Sequence, residues 1–253
     1  MFPVLNVGPL AIQTRGLIIL LAIWFASEAA ERGAEKLRGA KRLGLAGDHV
    51  YNLVFLSAVA GVLGARLGYV IEHVTIYQNY PAQIIALDLN TLSPVWGVLI
   101  GLLAAYAYAR RKRVADRTLL DALTPGFAVL AAGLALADLA SGDGYGSPAS
   151  LPWSIELWGA ARHPTQIYQL LAVGVIGWIV LKSDRVYDGW RFGLFVALYA
   201  ASRLIVEAFR GDSVTVNGVR TAQVWSLIVI VVAVGLLRRW ARPPHEPKAV
   251  PQP

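Results

Sequence analysis

Apolar residues are grouped along this chain into long stretches that short polar segments separate. Each stretch is long enough, or nearly so, to cross about 30 Å of hydrocarbon as a helix that rises about 1.5 Å per residue. No stretch alternates as the strands of a membrane barrel do, and an isolated strand leaves its backbone groups unpaired in lipid. The pattern therefore predicts seven transmembrane helices, near residues 12–30, 50–74, 92–109, 119–140, 166–182, 190–209 and 222–240.

The predicted fold class is all-α, a polytopic membrane protein with one seven-helix domain over residues 1–240. The first stretch is expected to be a retained helix, because no Lys or Arg precedes it before Arg15 and no small-residue cleavage site follows it. Residues 241–253 are polar and rich in proline, which predicts a short disordered tail.

The composition agrees with a membrane protein. Hydrophobic residues make up 56% of the chain and charged residues 15%, whereas an ordinary soluble domain has about 25% charged residues. The chain has no cysteine. This excludes disulfide bonds, thiolate-bound metals and an enzyme cysteine as nucleophile.

The basic residues predict the orientation of the helices. Most of the 23 Lys and Arg residues lie in the connections after the first, third and fifth stretches and in the tail. The connections on the opposite side carry Arg15, Arg162, Arg210 and Arg220. The positive-inside rule then places the N-terminus outside and the C-terminus in the cytoplasm. The net charge of +7 is thus explained by topology, and we expect no nucleic-acid partner.

Two further arginines, Arg66 and Arg203, lie within apolar sequence. An arginine at membrane depth is costly and usually faces a cavity or a partner. Counted along its predicted helix, each lies roughly 20–24 Å from the cytoplasmic end. Both are therefore expected in the outer half of the membrane.

Other polar residues are predicted at the same level and suggest a polar, basic cavity that opens to the outer leaflet. In the sixth stretch, four polar residues recur at helical spacing. They are Tyr199, Arg203, Glu207 and Arg210. Further polar residues lie at the outer ends of other stretches: Arg15, Trp96, Asp138, His163 and Gln166.

Two interpretations of this cluster remain open. It can be a structural ion-pair network, such as Arg203 with Glu207 or Asp138 with an arginine. Alternatively, it can bind an anionic lipid headgroup, because a guanidinium group suits phosphate oxygens. The glycine-rich loop at 141–148 would allow close approach to such a headgroup. No spacing of His, Asp or Glu resembles a metal site, and we expect no metal or cofactor.

Four motifs resemble segments of the bacterial prolipoprotein diacylglyceryl transferases. They are GARLGYV (64–70), RHPTQIYQ (162–169), YAASRLIVEAFR (199–210) and TAQVWS (221–226). Their order and spacing, and the layout of seven helices with the N-terminus outside, are also similar to that family. The resemblance covers nearly the whole chain.

The resemblance implies an enzyme of the bacterial cytoplasmic membrane whose site faces the outer leaflet. Its partners would be phosphatidylglycerol, or another anionic phospholipid, and the signal peptides of exported prolipoproteins. A diacylglyceryl group would pass to the lipobox cysteine with release of glycerol phosphate. Because the attacking thiol belongs to the substrate, an enzyme without cysteine suits this chemistry.

Carried over by position, the resemblance implies that Arg203 stabilises the phosphate, with Tyr199 beside it. Arg66, Glu207 and Arg210 would organise the headgroup pocket, and Gln166 would belong to the motif at its entrance on the fifth helix. We also expect His163, Arg15 and Ser141 to contribute to headgroup binding.

The chain departs from the family pattern in three places. Trp96 stands where family members usually carry a histidine followed by two glycines, and Arg15 stands at a tyrosine position. In the signature after the fourth helix, the essential arginine falls on Asp138 and the asparagine on Ser141. One hypothesis is that Arg15 resupplies the missing positive charge. Asp138 would then be its partner or a replacement general base.

Two function classes remain open from the sequence. The first is a diacylglyceryl transferase or a related lipid transferase. The second is a non-catalytic family member that binds lipid or serves as a subunit of a membrane complex. No inverted repeat or pair of broken helices supports a transporter.

Overall fold

Helices account for most of the structure. The computed structural model describes residues 4–7, 10–37, 47–85, 91–114 and 116–241. The helices are α1 (Thr14–Lys36), α2 (Gly47–Glu72), α3 (Val74–Asn79), α4 (Pro94–Arg111), α5 (Arg117–Ser141), α6 (Thr165–Lys182), α7 (Trp190–Glu207) and α8 (Thr221–Trp240), and a 3-10 turn covers Pro81–Ile85.

Each predicted stretch corresponds to one long helix, but some ends differ. Helix α1 continues beyond residue 30 because Ala30 and Ala34 are buried with Leu119 and Ala122 of α5. Helix α7 ends at Glu207, two residues before the predicted end. The short helix α3 was not predicted. The tail predicted at 241–253 lies outside the described residues, apart from Ala241.

Among the residues that the structure describes, four helical segments are long and apolar enough to cross a membrane. They are Asp48–Glu72, Arg117–Ser141, Thr165–Lys182 and Thr221–Trp240. Helices α1 and α7 carry charged residues within their apolar sequence, such as Glu28 in α1 and Arg203 in α7. Large apolar side chains are widely exposed on the helices, for example Trp24, Trp178 and Val231. Such a surface is typical of a protein solvated by lipid, and the chain is a helical membrane protein.

In the described ranges, three short antiparallel hairpins add to the predicted all-α fold. They pair β1 (Val4–Val7) with β2 (Leu10–Gln13), β3 (Ile155–Leu157) with β4 (Ala160–Arg162), and β5 (Thr215–Val216) with β6 (Val219–Arg220). They adjoin one end of the bundle, where α1, α6 and α8 begin and where α5 and α7 end. We call this the hairpin end. Segments this short carry no long apolar pattern, so the sequence did not reveal them.

Small residues let the helices approach closely, as the glycine spacing in the second and third stretches predicts. A methyl group added to Gly61 of α2 would lie 3.1 Å from the carbonyl oxygen of Gly97 of α4. On α5, a methyl group added to Gly126 would lie 2.6 Å from the carbonyl oxygen of Ala26 of α1. The backbones of α1 and α5, and those of α2 and α4, therefore approach each other closely.

At the opposite end of the bundle, Asp121 of α5 fixes the start of α7. Its side chain is fully buried, and Oδ2 lies 2.9 Å from Nε of Arg185. The carboxylate also accepts hydrogen bonds from the backbone N–H groups of Gly189 (2.8 Å) and Phe192 (3.1 Å). A carboxylate here satisfies orphan N–H groups and complements the helix dipole. Helix α7 is thereby held beside α5, with its polar residues towards the hairpin end.

Candidate functional site

A small polar cavity lies between α5, α6 and α7 at the hairpin end. Its volume is about 40 Å³, enough for a few water-sized groups. Its lining residues with polar side chains are Asp138, Thr165, Gln166, Gln169, Tyr199, Arg203 and Arg210, and Gly144 also lines it. Four apolar residues, Ala131, Leu134, Ala135 and Val206, complete the lining.

Tyr199 and Arg203 form the α7 wall of this cavity. They are four residues apart and share one face of the helix, as the spacing predicts. The Nη2 atom of Arg203 lies 3.6 Å from Oε2 of Glu207. Within the part of the chain that the structure describes, the Arg203 guanidinium donates no hydrogen bond. Its donors are therefore available to a ligand.

Glu207 joins Arg203 to Arg210. Its side chain is buried, and Oε2 also lies 3.7 Å from Nε of Arg210. Arg210 follows the end of α7 and donates two hydrogen bonds to Asp212, of 2.9 and 2.8 Å. Burial lowers the pKa of the Arg210 guanidinium, but Asp212 and Glu207 outweigh this effect and raise the pKa above its ordinary value. Arg210 is thus charged, and Asp212 already accepts hydrogen bonds from two of its guanidinium nitrogens.

The structure brings Arg15 and Asp138 together, as the sequence suggested from their depth. Nη2 of Arg15 lies 3.3 Å from Oδ1 of Asp138, and Nη1 contacts Asp143. Ser141 donates a hydrogen bond of 2.9 Å to Asp143. The carboxylate of Asp138 thus lines the cavity on one side and is held by Arg15 on the other.

The predicted basic cavity is corrected by these contacts. The guanidinium groups of Arg15, Arg203 and Arg210 all have carboxylate neighbours, so the described site is of mixed charge. The carboxylates are Asp138, Asp143, Glu207 and Asp212. The sequence offered Glu207 as a partner of Arg203 and an arginine as a partner of Asp138. The fold adds Asp143 beside Arg15 and Asp212 beside Arg210.

The glycine-rich loop borders the cavity with its backbone. Thr165 donates a hydrogen bond of 2.5 Å to the carbonyl oxygen of Gly144, and Gln166 donates one of 2.8 Å to that of Asp143. Gly144 has φ +63°, and a methyl group there would lie 3.3 Å from Oδ2 of Asp138. A side chain at residue 144 would crowd the cavity and strain the backbone.

His163 supports this loop and is not among the residues that line the cavity. Its Nδ1 atom lies 3.3 Å from the hydroxyl oxygen of Tyr168, and its ring packs on Phe209 at 5.2 Å. The loop is also joined to the end of α7, because Ser147 N–H donates to the Phe209 carbonyl oxygen at 2.8 Å.

A family model described as prolipoprotein diacylglyceryl transferase matches residues 3–239. The chain belongs to this family. Three relatives bear the name phosphatidylglycerol–prolipoprotein diacylglyceryl transferase. The relative from Corynebacterium diphtheriae is 29% identical, over 92% of this chain and 89% of its own length. The relative from Clostridioides difficile is 28% identical, over 77% of this chain and 79% of its own length. The relative from Streptococcus pyogenes is 27% identical, over 90% of this chain and 90% of its own length.

In this family member, Arg66 lies apart from the cavity-lining residues. Its guanidinium donates to the carbonyl oxygens of Ile84 and Thr91, both at 3.0 Å, and to that of Gln83. It also lies over the ring of Tyr77, at 5.3 Å from the centroid. These contacts show Arg66 fixing the segment between α3 and α4. They do not support the predicted role in headgroup binding.

Trp96 of α4, at the position where the family usually has histidine, lies against α2 and remains 39% exposed. Its Nε1–H donates a hydrogen bond of 2.9 Å to Glu72 at the end of α2. Ser93 donates to the same oxygen at 3.2 Å. A methyl group added to Gly68 would overlap the indole. Trp96 is therefore a packing residue in this transferase-family member and does not line the cavity.

Gln169 is a cavity residue that the sequence reasoning missed. It is three residues after Gln166 in the motif RHPTQIYQ, so both lie on one face of α6. The sequence feature that could have identified Gln169 is its place in this motif, at helical spacing from Gln166. As to metals, the described residues contain no group of three or more His, Asp or Glu side chains that could hold an ion.

Proposed function

We propose that this protein transfers a diacylglyceryl group from phosphatidylglycerol to the lipobox cysteine of exported prolipoproteins. Membership of the transferase family and the names of the relatives support this reaction. The structural observation that carries it is Arg203, whose donors are uncommitted within the described residues and which borders a polar cavity. The relatives are named as enzymes, which favours catalysis over lipid binding alone.

The chemistry requires no nucleophile from the protein. The thiol of the substrate attacks the glyceryl carbon, a carbon–sulfur bond forms, and the carbon–oxygen bond to phosphate breaks. Glycerol phosphate leaves with the electron pair of that bond, and its developing charge needs preorganised donors. Arg203 supplies these donors, and Tyr199 lies beside it on α7. Glu207 orients both Arg203 and Arg210.

Asp138 is our candidate for the base that receives the thiol proton. Its carboxylate lines the cavity, and Arg15 fixes its orientation through the contact at 3.3 Å. A general base must come within hydrogen-bond reach of the proton that it removes. The cavity position of Asp138 satisfies this requirement for a thiol that enters from the hairpin end.

We further propose that seven helices span the bacterial cytoplasmic membrane as one domain over residues 1–240. The N-terminus and the hairpin end would face outwards, and the tail would lie in the cytoplasm. The distribution of basic residues supports this orientation. The site would then open to the outer leaflet, where an exported prolipoprotein meets the lipid.

The test is a transfer assay with purified protein in phosphatidylglycerol vesicles and a lipobox peptide. We expect a thioether-linked lipopeptide together with glycerol phosphate. A peptide with serine in place of the cysteine should give no product. Arg203→Ala should lower the rate by about 10²–10³-fold, the usual loss on removing a preorganised donor.

The matched control is Arg32→Ala, because Arg32 pairs with Glu28 on the exposed side of α1. It should retain the wild-type rate. Full activity of Arg203→Ala would contradict the proposed role of Arg203. Retention of phosphatidylglycerol by the wild-type protein without product would instead indicate a lipid-binding protein.

A further inference from the structure

Two buried amide oxygens on α6 have no hydrogen-bond partner in the described part of the chain. They are Oε1 of Gln166 and Oε1 of Gln169, and both residues line the cavity. The two side chains are 3% and 5% exposed. A buried acceptor without a partner costs free energy and is rare in native proteins. Such a pair in a cavity points to a ligand that donates hydrogen bonds.

The orientation of the Gln166 amide is fixed by its neighbour. Its nitrogen lies 2.8 Å from the backbone carbonyl oxygen of Asp143, which can only accept. The opposite assignment would bring two acceptor oxygens together. The oxygen of Gln166 is therefore the atom left for the cavity.

The orientation of Gln169 follows from a short chain of hydrogen bonds. The hydroxyl of Ser202 donates to the carbonyl oxygen of Tyr199 at 2.8 Å, so its single hydrogen is already used. It must accept from the Gln169 amide nitrogen, which lies 3.2 Å away. The Gln169 oxygen is thus also unpaired. The two residues are one turn apart, with Cβ atoms about 5–6 Å from each other.

Donors and acceptors are arranged in different parts of the cavity. Arg203 on α7 offers N–H donors, which suit a phosphate. Gln166 and Gln169 on α6 offer neutral acceptors, which suit hydroxyl groups. An ammonium group could also donate, but taking it out of water costs more than burying a hydroxyl. Asp138 and Glu207, the nearby carboxylates, are already paired with arginines.

We propose that Gln166 and Gln169 accept hydrogen bonds from the hydroxyl groups of the glycerol headgroup and select a polyol phosphodiester as donor lipid. This inference rests on the proposed function and assigns the headgroup specificity of the same site. Arg203 binds the phosphate, and the two glutamines read the free hydroxyls. A headgroup without hydroxyls leaves both oxygens buried and unpaired.

The test compares two lipids that differ only in these hydroxyls. Phosphatidylpropanol has the phosphodiester charge and the three-carbon headgroup of phosphatidylglycerol without its free hydroxyls. We expect the wild-type protein to use it with a kcat/KM at least about tenfold lower, since a site built for a hydroxyl rejects the analogue that lacks it. Phosphatidylethanolamine, which offers an ammonium group, should be used at least as poorly.

Gln169→Met and Gln166→Met keep about the size of the side chain and remove the acceptor, together with the amide N–H that donates to Ser202 or to the Asp143 carbonyl oxygen. Each should lower kcat/KM with phosphatidylglycerol more than with phosphatidylpropanol, so the preference between lipids falls. The matched control is Gln223→Met in α8, a glutamine that does not line the cavity. It should keep the wild-type ratio. The ratio compares kcat/KM for the two lipids in one preparation of each variant. A smaller folded fraction therefore lowers both values equally and leaves the ratio unchanged.

Equal use of the two lipids by the wild-type protein would overturn the inference and leave the proposed function intact. An equal loss with both lipids in both methionine variants would show a structural role and would also overturn it. Efficient transfer from phosphatidylethanolamine would refute the selection of hydroxyls. A wild-type protein that transfers from none of the lipids would overturn the proposed function together with this inference.

Discussion

Arg203 and Arg210 lie close together but have different neighbours. Asp212 occupies the fork of Arg210 with two hydrogen bonds, whereas Arg203 has the longer contact of 3.6 Å with Glu207. A ligand that binds Arg210 must displace or share Asp212, and a ligand that binds Arg203 need not. This difference makes Arg203 the better phosphate donor, and it places Arg210 in the framework that holds Glu207.

The pair Arg15 and Asp138 provides a prediction at the scale of single residues. Arg15→Asp should lower transfer activity by about tenfold, within the range of coupling energies for contacting charges. Asp138→Arg should lower it by about 10²-fold or more, because it also removes the proposed base. The double variant should recover only the share of the loss that comes from the broken ion pair, about tenfold relative to Asp138→Arg, because residue 138 would again face a carboxylate but the proposed base would still be absent from the cavity. The measurement is the rate of lipopeptide formation.

The control for this pair is the exposed ion pair of Glu28 and Arg32 on α1. Exchanging its charges should leave the rate unchanged, since exposed pairs contribute little. If both single variants at 15 and 138 stay active and the double variant gains nothing, the two residues do not act as a unit.

Helices α2 and α4 show how an element adapts to a change in one of its residues. Trp96 is larger than the histidine that the family usually carries, and the indole lies against Gly68 of α2. Its N–H is satisfied by Glu72 at 2.9 Å. The contact satisfies the indole N–H, which can only donate. The glycine and the glutamate of α2 therefore explain how α4 accommodates the tryptophan.

Gly68→Ala tests this packing at the scale of the helix pair. The added methyl group would overlap Trp96 and force the helices apart, which should lower the free energy of unfolding by about 1–3 kcal/mol. Thermal unfolding in detergent measures the change. In a Trp96→Ala background the same substitution should cost little.

Gly174→Ala is the matched control, because a methyl group there meets no atom within 4 Å. It should be neutral or slightly stabilising, since alanine favours a helix over glycine by about 1 kcal/mol. Equal destabilisation by both substitutions would show that the close approach at Gly68 is not the cause.

The topology of the whole molecule can be tested because the chain has no cysteine of its own. Single cysteines at Tyr80, Lys112, Asp184 and Thr215 lie in exposed connections on either side of α4 and α7. A membrane-impermeant maleimide should label Tyr80→Cys and Thr215→Cys in intact spheroplasts. Lys112→Cys and Asp184→Cys should react only after the membrane is permeabilised. Residues 80 and 112 flank α4, and residues 184 and 215 flank α7. If both cysteines that flank one helix are labelled from outside, that helix does not cross the membrane.

The sequence alone determined the helical membrane architecture and the family. Apolar stretches about as long as the membrane is thick predict helices, because a chain in lipid must satisfy its own backbone hydrogen bonds. Arg203, Tyr199, Arg210 and Gln166 could be placed near one another, since helical spacing and membrane depth are local properties of the chain.

Only the tertiary structure decided which side chains meet. It separated Arg66 from the cavity, placed Asp143 against Arg15, and placed Gln169 beside Gln166 with an unpaired oxygen. These outcomes depend on how helices rotate and pack against each other, and neighbours distant in sequence set that rotation. The pairing of each buried polar atom is therefore a property of the assembled bundle, because its partner comes from another helix or loop.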